Sequence, residues 1–320
     1  RNFILCTDDC HSGTLVNDGH MNRVVRHAID CGCDPLIAIQ MATINTACHF
    51  GMERELGSIT PGRRADFIVT SSINDLPIDV VFARGERVAE NGKLLTKCPH
   101  YEWPQTVRKT VNLGKKLELK DFVISVPTGL SSVKAKVIGV IENQAPTKAL
   151  EFDLPVKQGK VQVEGDVCYL SLVERHRGTG AVVNGFVSGF GYTGSMAIAS
   201  SVAHDSHHMI VVGTNQEMMA CAANRLGEVG GGVSLWKDGS EVALVELPIA
   251  GLMSDSKASD VAVKAQAIVS AMIDCGCTLN NAYMQHTLLA LVVIPELRIS
   301  DLGLVDVNRF ELTEVLEPNF

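Results

Sequence analysis

The beginning of the chain alternates apolar and polar stretches in the order of a β/α unit. Residues 3–6 form an apolar run that predicts a strand, and the polar turn Thr7-Asp8-Asp9 follows it. Apolar residues then recur at helical spacing over residues 21–29. Asp34 before Pro35 predicts the capped start of a second helix. A strand, an acidic loop and helices in this order predict the closing unit of a (β/α)₈ barrel.

Short strands and tight turns follow this first part. Residues 67–69 and 80–84 are rich in β-branched and aromatic side chains, which predicts strands. Asn91-Gly92 is the pair favoured in two-residue hairpin turns. We therefore predict a small β-domain over residues 61–96. Residues 97–116 mix proline, aromatic and charged residues without a clear period, which predicts a connector on the protein surface.

The rest of the chain combines strands and helices. Runs of apolar and β-branched residues predict strands over residues 133–141, 149–156 and 167–173. Thr214 and Glu217 have the spacing of a capping box, which predicts a helix that Gly230 ends. Apolar residues from Val261 to Met272 predict a longer helix that ends at Gly276. The fold class is therefore mixed α/β.

Composition narrows the class of protein. The 320 residues exceed one typical core, so two or three domains are expected. The net charge is -8 and the basic residues form no stripe, which disfavours nucleic acid as a partner. No apolar segment reaches membrane-spanning length. The ten cysteines form no zinc spacing, which favours reduced thiols in the cytoplasm. Because Arg1 stands directly before an apolar run, we expect a C-terminal fragment of a longer protein.

Asp8 and Asp9 are the first candidates for chemistry. Two adjacent carboxylates repel each other unless a cation, such as a metal ion or a protonated substrate, lies beside them. The structural alternative is a capping or Asx turn after a strand, since aspartate is a favoured turn residue. The residues themselves leave both interpretations open.

A second candidate is the histidine-rich stretch that ends before a predicted strand at residues 209–212. His204, Asp205, His207 and His208 lie within five positions of a chain with only ten histidines. Strand alternation would place His204 and His208 on one side and Asp205 with His207 on the other, which weakens a simple metal site. Metal ligation, a substrate or interface contact, and a structural polar turn all remain open. His204, Asp205 and His207 are the predicted site or interface residues.

Several motifs together resemble the adenine deaminases of the amidohydrolase superfamily. The residues that carry the resemblance are Cys6-Thr7-Asp8-Asp9, Gly19-His20, Met41-Ala42-Thr43, Asn45, Gly57, Pro61-Gly62-Arg63-Arg64-Ala65-Asp66, Arg175-His176, Gly178-Thr179-Gly180, the stretch from Ser200 to His207, Gly213-Thr214-Asn215, the stretch from Leu247 to Asp255 and Ile294-Pro295-Glu296-Leu297. They cover nearly the whole chain.

The resemblance implies a fold in parts. Residues 1–60 would be the end of a TIM-type metal-dependent hydrolase barrel, residues 61–96 strands of the small β-domain, residues 97–116 a connector, and residues 117–320 a C-terminal α/β adenine deaminase domain. The reaction would be the hydrolysis of adenine to hypoxanthine and ammonia, by a homodimer that needs neither nucleic acid nor a membrane.

The resemblance also implies roles for the two acids. Asp8 would be the catalytic residue, binding a divalent metal and carrying the proton of the attacking water. Asp9 would hydrogen-bond the purine. The metal would be Mn²⁺, with Fe²⁺ or Zn²⁺ as alternatives.

The chain also departs from the family pattern. The His-x-His ligands and other metal ligands of the superfamily's earlier strands are absent, so we expect the chain to be inactive alone. His208 stands where asparagine is expected. An amidohydrolase acting on another purine or cyclic amide, and a non-catalytic assembly module, remain alternatives. The His-x-Glu and Pro-Cys-x-x-Cys pattern of nucleic-acid deaminases is missing from the chain.

Overall fold

The computed structural model describes residues 3–97 and 101–317. It is a mixed α/β protein, as predicted, and divides into two compact units, Arg1–Glu102 and Trp103–Phe320. Among the described residues, no helix combines the length and apolar character needed to cross a membrane.

The first unit begins with helices and ends with a small sheet. Its elements are α1 Ser12–Asn17, α2 Met21–Asp30, α3 Pro35–Met41, α4 Ile44–His49, β1 Phe67–Val69, β2 Val80–Ala83, β3 Glu86–Glu90 and β4 Lys93–Leu94. The prediction of α2 and α3 is confirmed, and the Asp34 side chain accepts hydrogen bonds from the backbone N–H groups of Leu36 and Ile37. A small core forms where Val25 of α2 packs with Ala38 of α3.

The strand predicted over residues 3–6 is wrong in this structure. The segment has no strand assignment, and the N–H of Leu5 donates to the carbonyl of Met41, 3.2 Å away, at the end of α3. A barrel strand is held by ladders to neighbouring strands. No such neighbour lies beside residues 3–6 in the described part of the chain.

The small sheet of the first unit follows the sequence closely. Its four strands are antiparallel in the order β1-β2-β3-β4. Asn91 and Gly92 both have positive φ, at 45° and 73°, which is the geometry of the type I′ turn that this pair predicts. Stacked rings of Phe67 and Phe82, 4.6 Å apart, join β1 to β2. The predicted strands at residues 67–69 and 80–84 are therefore confirmed.

The second unit is built on one large sheet. Its elements are β5 Ser132–Val140, β6 Thr147–Lys157, β7 Lys160–Val161, β8 Val167–Val173, β9 Val182–Ser188, β10 Met196–Ser200, β11 Met209–Gly213, α5 Gln216–Val229, β12 Gly232–Lys237, β13 Ser240–Glu246, α6 Ala258–Asp274, α7 Ala282–Thr287, β14 Leu297–Ser300, β15 Gly303–Asp306 and β16 Glu311–Thr313. The nine strands from β5 to β13 have the spatial order β13-β12-β10-β11-β8-β9-β5-β6-β7, and β14 to β16 form a separate small sheet. Neighbouring strands are antiparallel except for β5 with β9. The three strands predicted before residue 174 are confirmed.

Both faces of the large sheet are covered, which explains why every residue of its central strands β8, β10 and β11 is buried. On β8, Tyr169 packs on the face that carries α5. Its neighbours Leu170 and Leu172 pack on the face that carries α6 and α7. The same alternation runs along β10 and β11. Because β8 and β11 are antiparallel, the polar residues that follow β8 lie at the same end of the sheet as those that precede β11.

The part of the predicted connector that starts at Trp103 groups with the second unit. Leu113 is buried in the core beside α5, and the N–H of Asn112 donates to the carbonyl of Arg175, 2.8 Å away. Residues 98–100 of the predicted connector lie outside the described residues.

The predicted capping box of α5 is wrong in its first residue. Asn215, not Thr214, is the N-cap, because its side chain accepts hydrogen bonds from the N–H groups of Glu217 and Met218. The Thr214 hydroxyl instead donates to the carbonyl of Gly194, 2.6 Å away. Gly230 ends the helix in the left-handed conformation, as predicted.

We expect Asn215→Ala to lower the free energy of unfolding by about 1 kcal/mol, because two N–H groups of the first turn lose their acceptor. Asn215→Asp is the matched control, since a carboxylate keeps the acceptor, and it should retain stability. Chemical denaturation followed by circular dichroism measures both. Equal losses in the two variants would contradict the cap assignment.

Candidate functional site

Asp8 and Asp9 lie on an exposed loop of the first unit, immediately before α1. Asp8 has a positive φ of 52°, a backbone conformation that aspartate tolerates better than most residues. Its side chain turns back to accept a hydrogen bond from the N–H of Asp9, 2.8 Å away. The loop therefore contains the Asx-type turn that is the structural alternative to a catalytic role. The Asp8 carboxylate is nevertheless exposed to solvent.

The two acids do not make a metal site by themselves. In the described residues, no group of three or more histidine, cysteine, aspartate or glutamate side chains is arranged to hold a metal ion. The Asp8 carboxylate is a hard oxygen donor that suits a divalent cation, and it is exposed. It fits the role of one ligand, and further ligands are needed to complete a centre.

In the second unit, polar residues gather at the end of β8. Glu174 follows this strand directly, and its carboxylate accepts hydrogen bonds from the N–H groups of His176, Arg177 and Thr179 and from the Thr179 hydroxyl. Burial alone would raise the pKa of the Glu174 carboxyl, but these bonds, with that from the Thr179 backbone foremost, lower the pKa to about 2. Glu174 is therefore a charged anchor that shapes the following loop.

Arg175 lies next to Glu174 and is almost completely buried, with 1% of its surface exposed. Its Nε donates to the carbonyl of His207, 2.5 Å away, and its two terminal nitrogens donate to the carbonyl of Ala250 at 3.3 Å. Burial lowers the pKa of the guanidinium. A side chain at Gly251 would collide with Arg175, since an added Cβ would lie 2.6 Å from its Nη1. One buried cation thus joins three segments of the chain.

The predicted candidates His204, Asp205 and His207 form one of these segments. They lie in a turn, not a strand, and the N–H of His207 donates to the carbonyl of Ala203, 2.8 Å away. The rings of His204 and His207 are 5.3 Å apart, so alternation does not separate them. Burial lowers the pKa of the His207 imidazole, and the neighbouring His204 and Arg175 lower it further. Asp205 is exposed.

A cleft of about 360 Å³ opens beside this turn. Leu172 and Val183 line it with apolar surface, and Glu174, His176, Arg177, Thr179, His208 and Asp301 are among its polar lining residues. The rings of His176 and His208 are 4.8 Å apart, and Nε2 of His208 lies 3.6 Å from the Asp301 carboxylate. Burial lowers the pKa of His208, an effect that outweighs the opposing influence of Asp301. The volume is at the lower end for small-molecule sites.

Comparison with known proteins matches a protein-family model to part of each unit. A model of the amidohydrolase family matches residues 1–88, and a model of the adenine deaminase C-terminal domain matches residues 144–311, more than half of the chain. The chain belongs to the adenine deaminase family. Membership in this family implies a divalent metal.

Curated relatives extend the match across the whole chain. A protein of Ruegeria pomeroyi described as an adenine deaminase is 72% identical over 99% of this chain and 53% of its own length. Adenine deaminases of Paracoccus denitrificans and Moorella thermoacetica are 68% and 42% identical over the same shares. The chain therefore spans about half the length of the curated relatives it matches.

Sequence reasoning missed some of the residues that organise this adenine deaminase C-terminal domain. Glu174 could have been noticed, because it is an acid placed directly after seven buried strand residues. Asp301 follows a short strand in a Gly-containing turn, and nothing in the sequence separates it from an ordinary turn aspartate. His208 stands in place of an expected asparagine, and its partner Asp301 lies too far along the chain for a local pattern to predict the contact.

We expect Glu174→Gln to lower the free energy of unfolding at pH 7 by about 1–3 kcal/mol, because an amide has only one oxygen for bonds that two oxygens share. The folded-state pKa of about 2 lies below the ordinary 4.5. The stabilisation is therefore complete above pH 4.5 and is lost as the pH falls towards 2. The difference between wild type and variant should shrink over that window in denaturation curves.

Glu314→Gln is the matched control, since Glu314 is exposed in the same unit. Its unfolding free energy should stay near that of the wild type at pH 7. A Glu174→Gln difference that is constant from pH 7 to pH 3 would contradict the anchoring role of the carboxylate.

Proposed function

We propose that this protein takes part in the hydrolysis of adenine to hypoxanthine and ammonia by a metal-dependent adenine deaminase. The observation that carries the proposal is the match to adenine deaminases across 99% of the chain, at up to 72% identity. This match includes the amidohydrolase segment that holds Asp8 and Asp9. Water adds at the carbon that bears the amino group, and ammonia leaves as that carbon becomes a carbonyl.

Asp8 is proposed as the metal-binding catalytic acid and base. A divalent metal, Mn²⁺ or alternatively Fe²⁺ or Zn²⁺, supplies Lewis-acid activation of water. Asp8 accepts the proton of the attacking water and passes it to the leaving amine. The exposed carboxylate before α1 supports this role, because it is open to a ligand. In an enzyme of the relatives' length, the other ligands would come from the half that this chain does not match.

Asp9 is proposed to hydrogen-bond the purine. Its exposure beside Asp8 supports the role, since a ring bound near one carboxylate is within reach of its neighbour. Residues 1–60 would then close a (β/α)₈ barrel, in which residues 3–6 gain strand neighbours. Residues 61–96 would form the small β-domain, 97–116 a connector and 117–320 the C-terminal domain.

The turn of His204, Asp205 and His207 is proposed to face the substrate site or a neighbouring subunit of a homodimer. Its support is the buried Arg175, which fixes the turn through the His207 carbonyl. Half-buried imidazoles held in one geometry are suited to a contact. The nine described cysteines are free thiols, which supports a cytoplasmic location.

The test is ammonia release from adenine by the protein expressed from its complete gene and supplied with Mn²⁺. Asp8→Asn should lower kcat by a factor on the order of 10²–10⁴, the usual contribution of a positioned proton carrier. Asp9→Asn should raise KM for adenine more than it lowers kcat. Asp30→Asn, an exposed acid of the neighbouring α2, is the matched control and should be as active as the wild type.

Two outcomes would favour the alternatives. Turnover of another purine or a cyclic amide with no turnover of adenine would replace the substrate assignment. Unchanged activity in both the Asp8→Asn and Asp9→Asn variants would remove the catalytic role and favour an assembly module.

A further inference from the structure

The outer face of α6 is apolar although it is exposed. Val263 and Ile273 expose 72% and 61% of their surface. Residues 265–273 contain no charged side chain at all. A surface helix of a globular protein normally carries charged residues on its outer face. The exposed apolar face of α6 therefore indicates a contact surface.

The exposed residues of α6 follow the spacing of a helix pair. Ser259, Val263, Gln266, Ser270 and Ile273 are all exposed and are separated by four, three, four and three positions. This is the alternation of the a and d positions in a heptad, which places five side chains on one stripe. The opposite side of α6, with Ile268 and Met272, is buried against the large sheet. The stripe is thus additional to the core contact.

The stripe matches a reversed copy of itself. If two α6 helices run antiparallel about an axis at the level of Ile268, Val263 of one faces Ile273 of the other. In the same register Gln266 faces Ser270. Apolar meets apolar and polar meets polar, as an isologous two-fold contact requires. The small serines allow close approach, and opposed helix dipoles favour the antiparallel arrangement.

The charges at the two ends of α6 are also compatible with this arrangement. The N-terminal part carries Asp260 and Lys264, and Lys264 pairs with Glu246. At the C-terminal end the ammonium of Lys237 lies 2.9 Å from the carbonyl of Asp274. Each end therefore carries both an acid and a base, so the two ends that meet in an antiparallel pair do not share one sign of charge.

We propose that the outer face of α6, defined by Ser259, Val263, Gln266, Ser270 and Ile273, is the contact between two copies of this chain. The inference rests on the homodimer proposed above and specifies its surface. Each helix contributes the same residues to the contact. The face is separate from the cleft at the end of β8, so its variants leave that cleft intact.

The test measures molecular mass by light scattering during gel filtration of the protein expressed from its complete gene. Val263→Lys and Ile273→Glu should each reduce the mass of the dimer to that of one chain, because each buries a charge against an apolar partner. The double variant should restore the dimer, since each lysine then faces a glutamate. Leu302→Lys, at a site with 76% exposure in the β14–β15 turn, is the control and should remain dimeric.

The outcomes separate this inference from the proposal it rests on. A monomeric wild type would overturn both. A dimeric wild type whose two single variants stay dimeric would overturn the α6 contact and leave the homodimer in place. Monomeric single variants without recovery in the double variant would overturn the antiparallel pairing. Circular dichroism melting shows whether each variant is folded, and the substituted positions are exposed enough to tolerate the change.

Discussion

The end of the large sheet depends on one buried cation. A guanidinium removed from water costs several kcal/mol unless its donors are satisfied. Arg175 meets this requirement with the carbonyls of His207 and Ala250, and the second of these requires a glycine beside it at residue 251. The turn of residues 204–207 and the loop around residue 250 are therefore held where the guanidinium needs them. The three segments joined in this way are among those that carry the adenine deaminase resemblance.

A second constraint acts through Glu174, next to Arg175 on the chain. Its carboxylate accepts hydrogen bonds from backbone N–H groups, which keep the carboxylate charged. The same bonds fix the loop that leads to β9. Together the two residues place His176 and His208 at one cleft and His204 and His207 at one turn. Adjacent residues of opposite charge thus hold different segments: Glu174 binds N–H groups of residues 176–179, and Arg175 binds the carbonyls of His207 and Ala250.

The first unit has a different character. Only α2 and α3 of its described helices share a small core, and large apolar side chains such as Phe3, Leu36 and Phe50 are exposed. Segment 3–6 pairs with no strand of the described residues. Both observations accord with the barrel proposed for residues 1–60, because the strands and helices of a barrel are stabilised by neighbours on either side. Asp8 and Asp9 are exposed in this unit and follow segment 3–6 closely along the chain.

Local order was determined by the sequence. Local patterns predicted helices, strands and turns correctly, because each pattern acts on the backbone within a few residues. These patterns are the spacing of apolar residues, Asp34 before Pro35, Asn91-Gly92 and Gly230. The residue pattern itself indicated Asp8, Asp9 and the histidine-rich stretch as candidates, and the resemblance added the roles predicted for the two acids. Tertiary structure alone decided that residues 3–6 lack a ladder, that the Thr214 hydroxyl binds the Gly194 carbonyl, and that Arg175 is buried against two distant carbonyls. The two hydrogen-bond acceptors of Arg175 lie 32 and 75 positions away along the chain, and no local pattern encodes partners at such distances.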